Sequence, residues 1–209
     1  MTDIRHIVFD IGKVLVHYDP HLAYLDLIPD AAERTAFLHD VCSHDWNVEQ
    51  DRGRTWEEAE AEAIARHPDK AELIRAFRRR WHLMIPHAYD DTVAILHALL
   101  AGGVDVTMLT NFAPDTFREA QTRFPFLKKG RGVTISGEVR AIKPEPEIYA
   151  VHTKSFGLDP AATLFFDDNP ANVEGARAAG WKAERYESAE QMASDLERYG
   201  ISIRAPVQT

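Results

Sequence analysis

Three short apolar runs in this chain each stop on a polar group, and their order constrains the fold more than any other feature. Ile4–Phe9 reads as a strand stopped by Asp10, Val104–Leu109 as a second stopped by Thr110-Asn111, and Thr163–Phe166 as a later one stopped by Asp167-Asp168. Helical periodicities separate them. Val93, Leu96 and Leu100 mark a helix closed by Gly102-Gly103, and Phe117, Ala120 and Phe124 mark another over Pro114–Phe124. Lys143-Pro144 is expected to open a helix through Phe156, because proline at the first helical position has no amide donor to lose. Asn169-Pro170 reads as an N-cap followed by proline, and a terminal helix is expected near Ala189–Arg198. Weaker strands are expected at Val133–Ile135 and Trp181–Ala183.

Strands alternating with helices predict an α/β fold: a doubly wound, Rossmann-like parallel sheet with helices on both faces. Residues 17–87 break the alternation and show only helical spacing, as in Phe37 with Val41, or Leu73, Phe77 and Trp81. The expected organisation is therefore an α/β core of residues 1–16 and 88–209 with a small helical cap, residues 17–87, inserted after the first strand. Such an insertion would rise over the C-terminal ends of the strands, where open α/β sheets place their ligands. A length of 209 residues suits one compact domain with a modest insertion.

Charge and composition narrow the function classes. Lys and Arg total 24 against 33 Asp and Glu, a formal net charge of −9 that disfavours nucleic acid and anionic membranes as partners. No stretch approaches the ~18–20 apolar residues needed to span a bilayer, and the first residues, with Asp3, Arg5 and His6, do not read as a signal peptide. Cys42 is the only cysteine, so neither an intramolecular disulfide nor a cysteine metal cluster can form, and a cytoplasmic location is expected. Ten histidines show no metal-binding pair in a helical context, since Pro20 separates His17 from His21. Arg78-Arg79-Arg80 reads as a solvated helix end. If the strands ending at Asp10, Thr110 and Asp167 are neighbours, their polar ends converge at a topological switch point.

The run from Val8 to Val16 (Val-Phe-Asp-Ile-Gly-Lys-Val-Leu-Val), with Leu109-Thr110-Asn111, Ile142-Lys143-Pro144-Glu145 and Phe165-Phe166-Asp167-Asp168-Asn169, resembles in order and spacing the four motifs of the haloacid dehalogenase-like (HAD) hydrolase superfamily. The resemblance covers nearly the whole chain. It is nearest to small bacterial phosphatase-type members with glycine two residues after the nucleophile, and Trp46–Gly53 is similar to that subgroup as well. It implies a magnesium-dependent phosphatase acting on a small anionic metabolite of the sugar or acyl phosphate type through an aspartyl-phosphate. Asp10 would be the nucleophile, with Thr110 and Lys143 as catalytic partners. The metal would be held by Asp10, the Gly12 carbonyl and Asp168, with Asp167 behind or bridged by water, the order of the two acids being open. Asn111, Trp46, Asn47, Gln50 and Arg52 would bind substrate. With Asp10, Asp167 and Asp168 contributing about −3 and a phosphate monoester about −1.5 to −2, Mg²⁺ and Lys143 supply the positive charge that binding requires. Monomer and homodimer are both open.

Gly12 departs from the superfamily pattern, in which an aspartate at that position protonates the leaving group. General acid–base help is worth typically 10²–10⁴-fold. A good leaving group can dispense with it, or the cap can supply an acid through His17, Asp51 or another residue. A metal-free 2-haloacid dehalogenase, whose halide needs no proton, also fits Gly12. Against that reading stand Asp167 and Asp168, since each unneutralised charge at about 4 Å from a haloacid anion costs ~4 kcal/mol at an effective dielectric of 20. A phosphonate hydrolase would need a Schiff-base lysine, and the cap offers only Lys70, in a polar turn. A binding protein that has lost catalysis is the remaining alternative. Hinges are expected near residues 16–18 and 86–88, letting the cap close over substrate.

Overall fold

The computed structural model describes residues 3–202. Its sheet has five parallel strands, β1 (His6–Phe9), β2 (Asp105–Thr110), β3 (Gly132–Ile135), β4 (Thr163–Asp167) and β5 (Lys182–Arg185), in the order β3-β2-β1-β4-β5. Side chains alternate across a strand, and both faces of β1 are buried. Ile7 and Phe9 enter one hydrophobic core with Met108 and Phe166, while Val8 enters a second with Leu109 and Phe165. Parallel strands covered on both faces are apolar nearly throughout for this reason.

Helices α1 (Ala31–Asp40), α2 (His44–Asp51), α3 (Trp56–Arg66), α4 (Ala71–Arg79) and α5 (Trp81–Met84) follow β1 with no strand between them. The remaining helices are α6 (Asp90–Ala101), α7 (Pro114–Arg123), α8 (Ser136–Val139), α9 (Pro146–Phe156), α10 (Pro170–Ala178) and α11 (Ala189–Arg198). Leu96 of α6, Phe117 of α7 and Leu196 of α11 cover the Ile7 face, and Tyr149 of α9 and Val173 of α10 cover the Val8 face. The sheet is thus doubly wound. From β1 the order runs to β2 on one side and β4 on the other, which sets the switch point at the C-terminal end of β1.

The helix boundary expected at Lys143 moves. The helix expected from Lys143 begins at Pro146, with Glu145 as its N-cap. The carboxamide of Asn111 takes both backbone groups of Lys143: its Oδ1 accepts from the Lys143 N–H (2.8 Å) and its Nδ2 donates to the Lys143 carbonyl (3.0 Å). With those groups engaged elsewhere, Lys143 cannot enter a helical ladder, and Pro146 takes the first-turn role expected of Pro144. The one-turn helix α8 carries no periodicity long enough to read from sequence.

The all-helical segment has its own aromatic centre: Trp46 lies 5.2 Å from Phe77 and 6.1 Å from Trp56 between ring centroids, and the Trp46 indole donates to the Ala59 carbonyl. Thr55 and Glu58 form a reciprocal capping box at the start of α3. The two strands of chain leading into and out of this segment run side by side, joined by His17 N–H to His87 O (3.0 Å), Asp19 N–H to Met84 O (2.9 Å) and Tyr89 N–H to Leu15 O (2.9 Å). Arg78 of α4 reaches both Asp115 and Glu119 of α7, and the Trp56 indole donates to Asp115.

Candidate functional site

Asp10 follows β1 directly and stays in its ladder, its N–H donating to the Phe166 carbonyl (2.9 Å). The parallel register sets Phe9 opposite Met108 on one side and Phe166 on the other, so the ends of β1, β2 and β4 bring Asp10, Thr110 and Asp167 to one edge of the sheet. Lys143, only 3% exposed, lies between two carboxylates, its Nζ 2.7 Å from Asp10 Oδ1 and 2.6 Å from Asp167 Oδ2. Burial alone would depress its ammonium, but Asp10 and Asp167 outweigh that and hold it above the ordinary lysine range. Burial pushes the Asp10 carboxyl up to about 7 against the opposing pull of Lys143, with Asp167 and Asp168 adding to the rise.

Asp167 is fully buried and both its oxygens are engaged. Oδ2 takes Lys143, Oδ1 accepts from the Asn169 N–H (2.9 Å), and the Asn172 amide spans both at 3.0 and 3.1 Å. Asp168 instead faces a cavity of about 400 Å³, and burial with the neighbouring Asp167 raises its carboxyl. Asp10, Asp167 and Asp168 each present a carboxylate oxygen within 4.8 Å of the others. Nearby, Asn172 Oδ1 is buried without a hydrogen-bond donor among the described residues. Three carboxylates and an unpaired amide oxygen form an all-oxygen donor set that stays net negative beside the one lysine, which suits a hard divalent cation such as Mg²⁺.

The same cavity is lined from the sheet side by Asp10, Gly12, Thr110, Asn111 and Lys143, and from the helical side by Asn47, Asp51 and Trp56 among others. A Cβ built on Gly12 would meet nothing within 4 Å. The turn after Asp10 closes tightly, with Lys13 held in a left-handed conformation (φ 59°) and its N–H donating to the Val16 carbonyl.

Of the four residues between Trp46 and Arg52 expected at substrate, Asn47 lines the cavity and the other three do not. Trp46 is packed into the aromatic centre, and Gln50, fully buried, donates to the Trp46 carbonyl and accepts from Arg54. Arg52 is held by Glu145 through two contacts of 2.8 Å. The cause is helical phase: Trp46 and Gln50 share the inward stripe of α2, while Asn47 and Asp51, also four residues apart, share the stripe facing the cavity. Asn172 was missed by sequence reasoning. An asparagine in the first turn of α10, among alanines, was its one visible signal.

A family model described as haloacid dehalogenase-like hydrolase matches residues 4–180. The chain is 35% identical over 136 residues to a phosphoserine phosphatase of Thermus thermophilus, covering 63% of this chain and 53% of that protein, so the match spans about half the relative's length. It is 26% identical over 208 residues to a phosphoglycolate phosphatase of Salmonella paratyphi A, covering 86% and 80% of the two chains. Among solved structures, a HAD family enzyme of Bacteroides thetaiotaomicron in complex with magnesium and inorganic phosphate superposes with a TM-score of 0.70 at 20% identity, over 88% of this chain and 94% of that one. An L-2-haloacid dehalogenase of Xanthobacter autotrophicus superposes with a TM-score of 0.63 at 21% identity, over 93% and 83%. At these identities both structures speak for the fold. With the family match covering most of its length, the chain belongs to the haloacid dehalogenase-like hydrolases.

Proposed function

We propose that the protein is a magnesium-dependent phosphatase of small phosphorylated metabolites, of the sugar or acyl phosphate type, working through an aspartyl-phosphate on Asp10. The observation that carries the reading is the charge of the site: three clustered carboxylates against one lysine. An anionic substrate enters such a site only with a cation. The residues present fit Mg²⁺, with Asp10, Asp168 and the Gly12 carbonyl as its holders and Asp167 acting from behind, its oxygens already bonded. When bound, the metal supplies charge neutralisation to the transferring phosphoryl group.

Asp10 attacks phosphorus in line, and water then cleaves the resulting acyl phosphate. Lys143 holds the Asp10 carboxylate in place and offsets its charge as the phosphate approaches. The Thr110 hydroxyl and the Asn111 N–H bind a nonbridging oxygen, where charge grows in the transition state. The carboxamide of Asn111 fixes the Lys143 backbone and thereby the aim of its side chain. Residues 17–87 serve as the cap, with Asn47 touching the substrate's leaving group and Trp46, Gln50 and Arg52 stiffening the wall behind it. The relatives named phosphoserine and phosphoglycolate phosphatase support small, anionic substrates. The −9 net charge disfavours nucleic acid, and no helix among the described residues is long and apolar enough to cross a membrane. The single cysteine, Cys42, is buried and unpaired, which agrees with a cytoplasmic location.

The dehalogenase reading would set a haloacid anion beside three carboxylates with one lysine to offset them. A screen of phosphate esters with Mg²⁺ and with EDTA, run beside 2-chloropropionate without metal, separates the two. Phosphate release that needs Mg²⁺ and disappears in Asp10→Asn is the expected result. Metal-independent chloride release would overturn it, and inactivity on every substrate would leave a binding role.

A further inference from the structure

We propose that Asp51, carried on the helical segment rather than on the sheet, is the acid that protonates the leaving group. The inference rests on the phosphatase reading and deepens it. An alkoxide leaves phosphorus poorly without a proton, and the sheet side of the cavity presents no carboxyl or imidazole free to give one. Gly12 has no side chain, Lys143 is tied to Asp10 and Asp167, and Asp168 sits in the acidic cluster with them.

On the helical side the choice is narrow. Burial and the neighbouring Asp51 and Asp19 carboxylates drive the Tyr18 hydroxyl far above its ordinary range, which makes it a poor acid at neutral pH. His44 and Asp45 are exposed at the start of α2. His17 does not line the cavity. Its Nδ1 lies 3.2 Å from the Tyr89 hydroxyl, and its ring stacks on His87 at the chain crossing. Asp51 remains.

Its position is fixed from the sheet side. The Ser136 hydroxyl donates to the Asp51 carbonyl (2.5 Å), and Phe112 N–H donates to that same hydroxyl (2.8 Å). Two residues on, Gly53 takes a left-handed conformation (φ 101°) with its α-carbon so close to the Gly137 carbonyl that a Cβ would sit 2.8 Å from that oxygen. Asn47 Nδ2, one turn earlier in α2, lies 3.4 Å from Asp51 Oδ2. The groups facing the carboxyl are Asn47, Tyr18, the Ala113 N–H and, further off, Lys143. Burial pushes the Asp51 carboxyl up to about 7 against the opposing effects of Ala113 and Lys143, so an appreciable share carries its proton at neutral pH.

The step balances. As Asp10 forms its bond to phosphorus, the ester P–O bond breaks and its oxygen takes the Asp51 proton, leaving as an alcohol. Asp51, now a carboxylate, removes a proton from the water that attacks the aspartyl-phosphate. Phosphate and free Asp10 result, and Asp51 is protonated again.

The test compares Asp51→Asn with wild type in kcat/KM, which reports the steps through leaving-group departure, on an alkyl phosphate and on 2,4-dinitrophenyl phosphate, both with Mg²⁺. The expected loss is about 10²–10⁴-fold on the alkyl ester and under about tenfold on the dinitrophenyl ester, whose phenolate leaves unprotonated. Gly12→Asp in the Asp51→Asn background, where a side chain has open space beside Asp10, is expected to recover at least part of the alkyl activity. Turnover of the dinitrophenyl ester doubles as the folding control, and Asp51→Ser repeats the comparison if the Asn variant melts below wild type. Equal loss on both esters would overturn the role of Asp51 while leaving the phosphatase reading intact. Wild-type inactivity on every ester would remove both.

Discussion

At the scale of single residues, the site is organised by carboxylates held away from bulk water, and their cost to stability depends on pH. Asp51 is the clearest case, because its carboxyl is raised to about 7 by burial. A carboxyl raised on folding keeps its proton between its unfolded value, near 4, and about 7, so the folded state binds more protons in that window. Stability then falls as pH rises through it and levels off above. Asp51→Asn, which never charges, should match wild type at pH 4 and exceed it at pH 8 by up to about 4 kcal/mol, since the rise from near 4 to about 7 spans about three tenfold steps in proton affinity of about 1.4 kcal/mol each. Urea melts at the two pH values without divalent metal read this directly. An Asn variant no more stable than wild type at pH 8 would mean that Asp51 is solvated in the folded protein. Lys143 has the opposite role. It offsets Asp10 and Asp167 at 2.7 and 2.6 Å, and removing one member of such a buried set typically costs 3–5 kcal/mol.

At the scale of elements, α2 and α8 meet closely enough to set where the helical segment presents its side chains. Gly53 approaches the Gly137 carbonyl, and Gly137 in turn leaves no room for a Cβ against Pro114 Cδ (2.6 Å). Gly53→Ala combines a left-handed backbone with an overlap onto backbone oxygen, so it should cost about 1–3 kcal/mol. It should also lower kcat/KM on alkyl phosphates more than on dinitrophenyl phosphate, because Asp51 moves with α2. A thermal melt and the paired esters check both, and an unchanged ester ratio would uncouple α2 docking from proton delivery. Much at this scale was legible in the sequence. Asp10, Thr110 and Asp167 stood out because each stops an apolar run, and strand ends of a parallel sheet share one edge whatever the loops do. Less visible was anything resting on a contact between distant segments. The start of α9 slipped from Lys143 to Pro146 because Asn111, 32 residues earlier, takes the Lys143 backbone. On α2, residue types pointed to the segment, but placing Asn47 and Asp51 at the cavity instead of Trp46 and Gln50 required the phase of the helix against the sheet. That phase is set by the packing of Trp46 on Trp56 and Phe77.

At the scale of the whole molecule, the −9 net charge and the clustered acids together predict, on the phosphatase reading, a protein that is stabilised by the cation it would hold. Each of Asp10, Asp167 and Asp168 raises the energy of the metal-free site, and a bound cation relieves that repulsion only in the folded state. Magnesium at 100 times its dissociation constant adds about 2.7 kcal/mol by mass action. The melting temperature should therefore rise with Mg²⁺, return with EDTA, and rise less in Asp168→Asn, because Asp168 is the acid that opens to the cavity. A melting temperature indifferent to Mg²⁺ would count against the donor set. On the same reading an acidic protein can act on an anion, because attraction would be confined to one metal-dependent cavity while extended polyanions meet only the negative surface.

The central claim is that Asp10 becomes phosphorylated during turnover. Rapid quenching of the enzyme with Mg²⁺ and a phosphate ester it turns over, followed by borohydride reduction and peptide mass spectrometry, tests it most directly. An aspartyl-phosphate is reduced to homoserine, so the account predicts homoserine at position 10, none in Asp10→Asn, and none when Mg²⁺ is chelated. Phosphate release with Asp10 left unmodified, or homoserine at another aspartate, would contradict it.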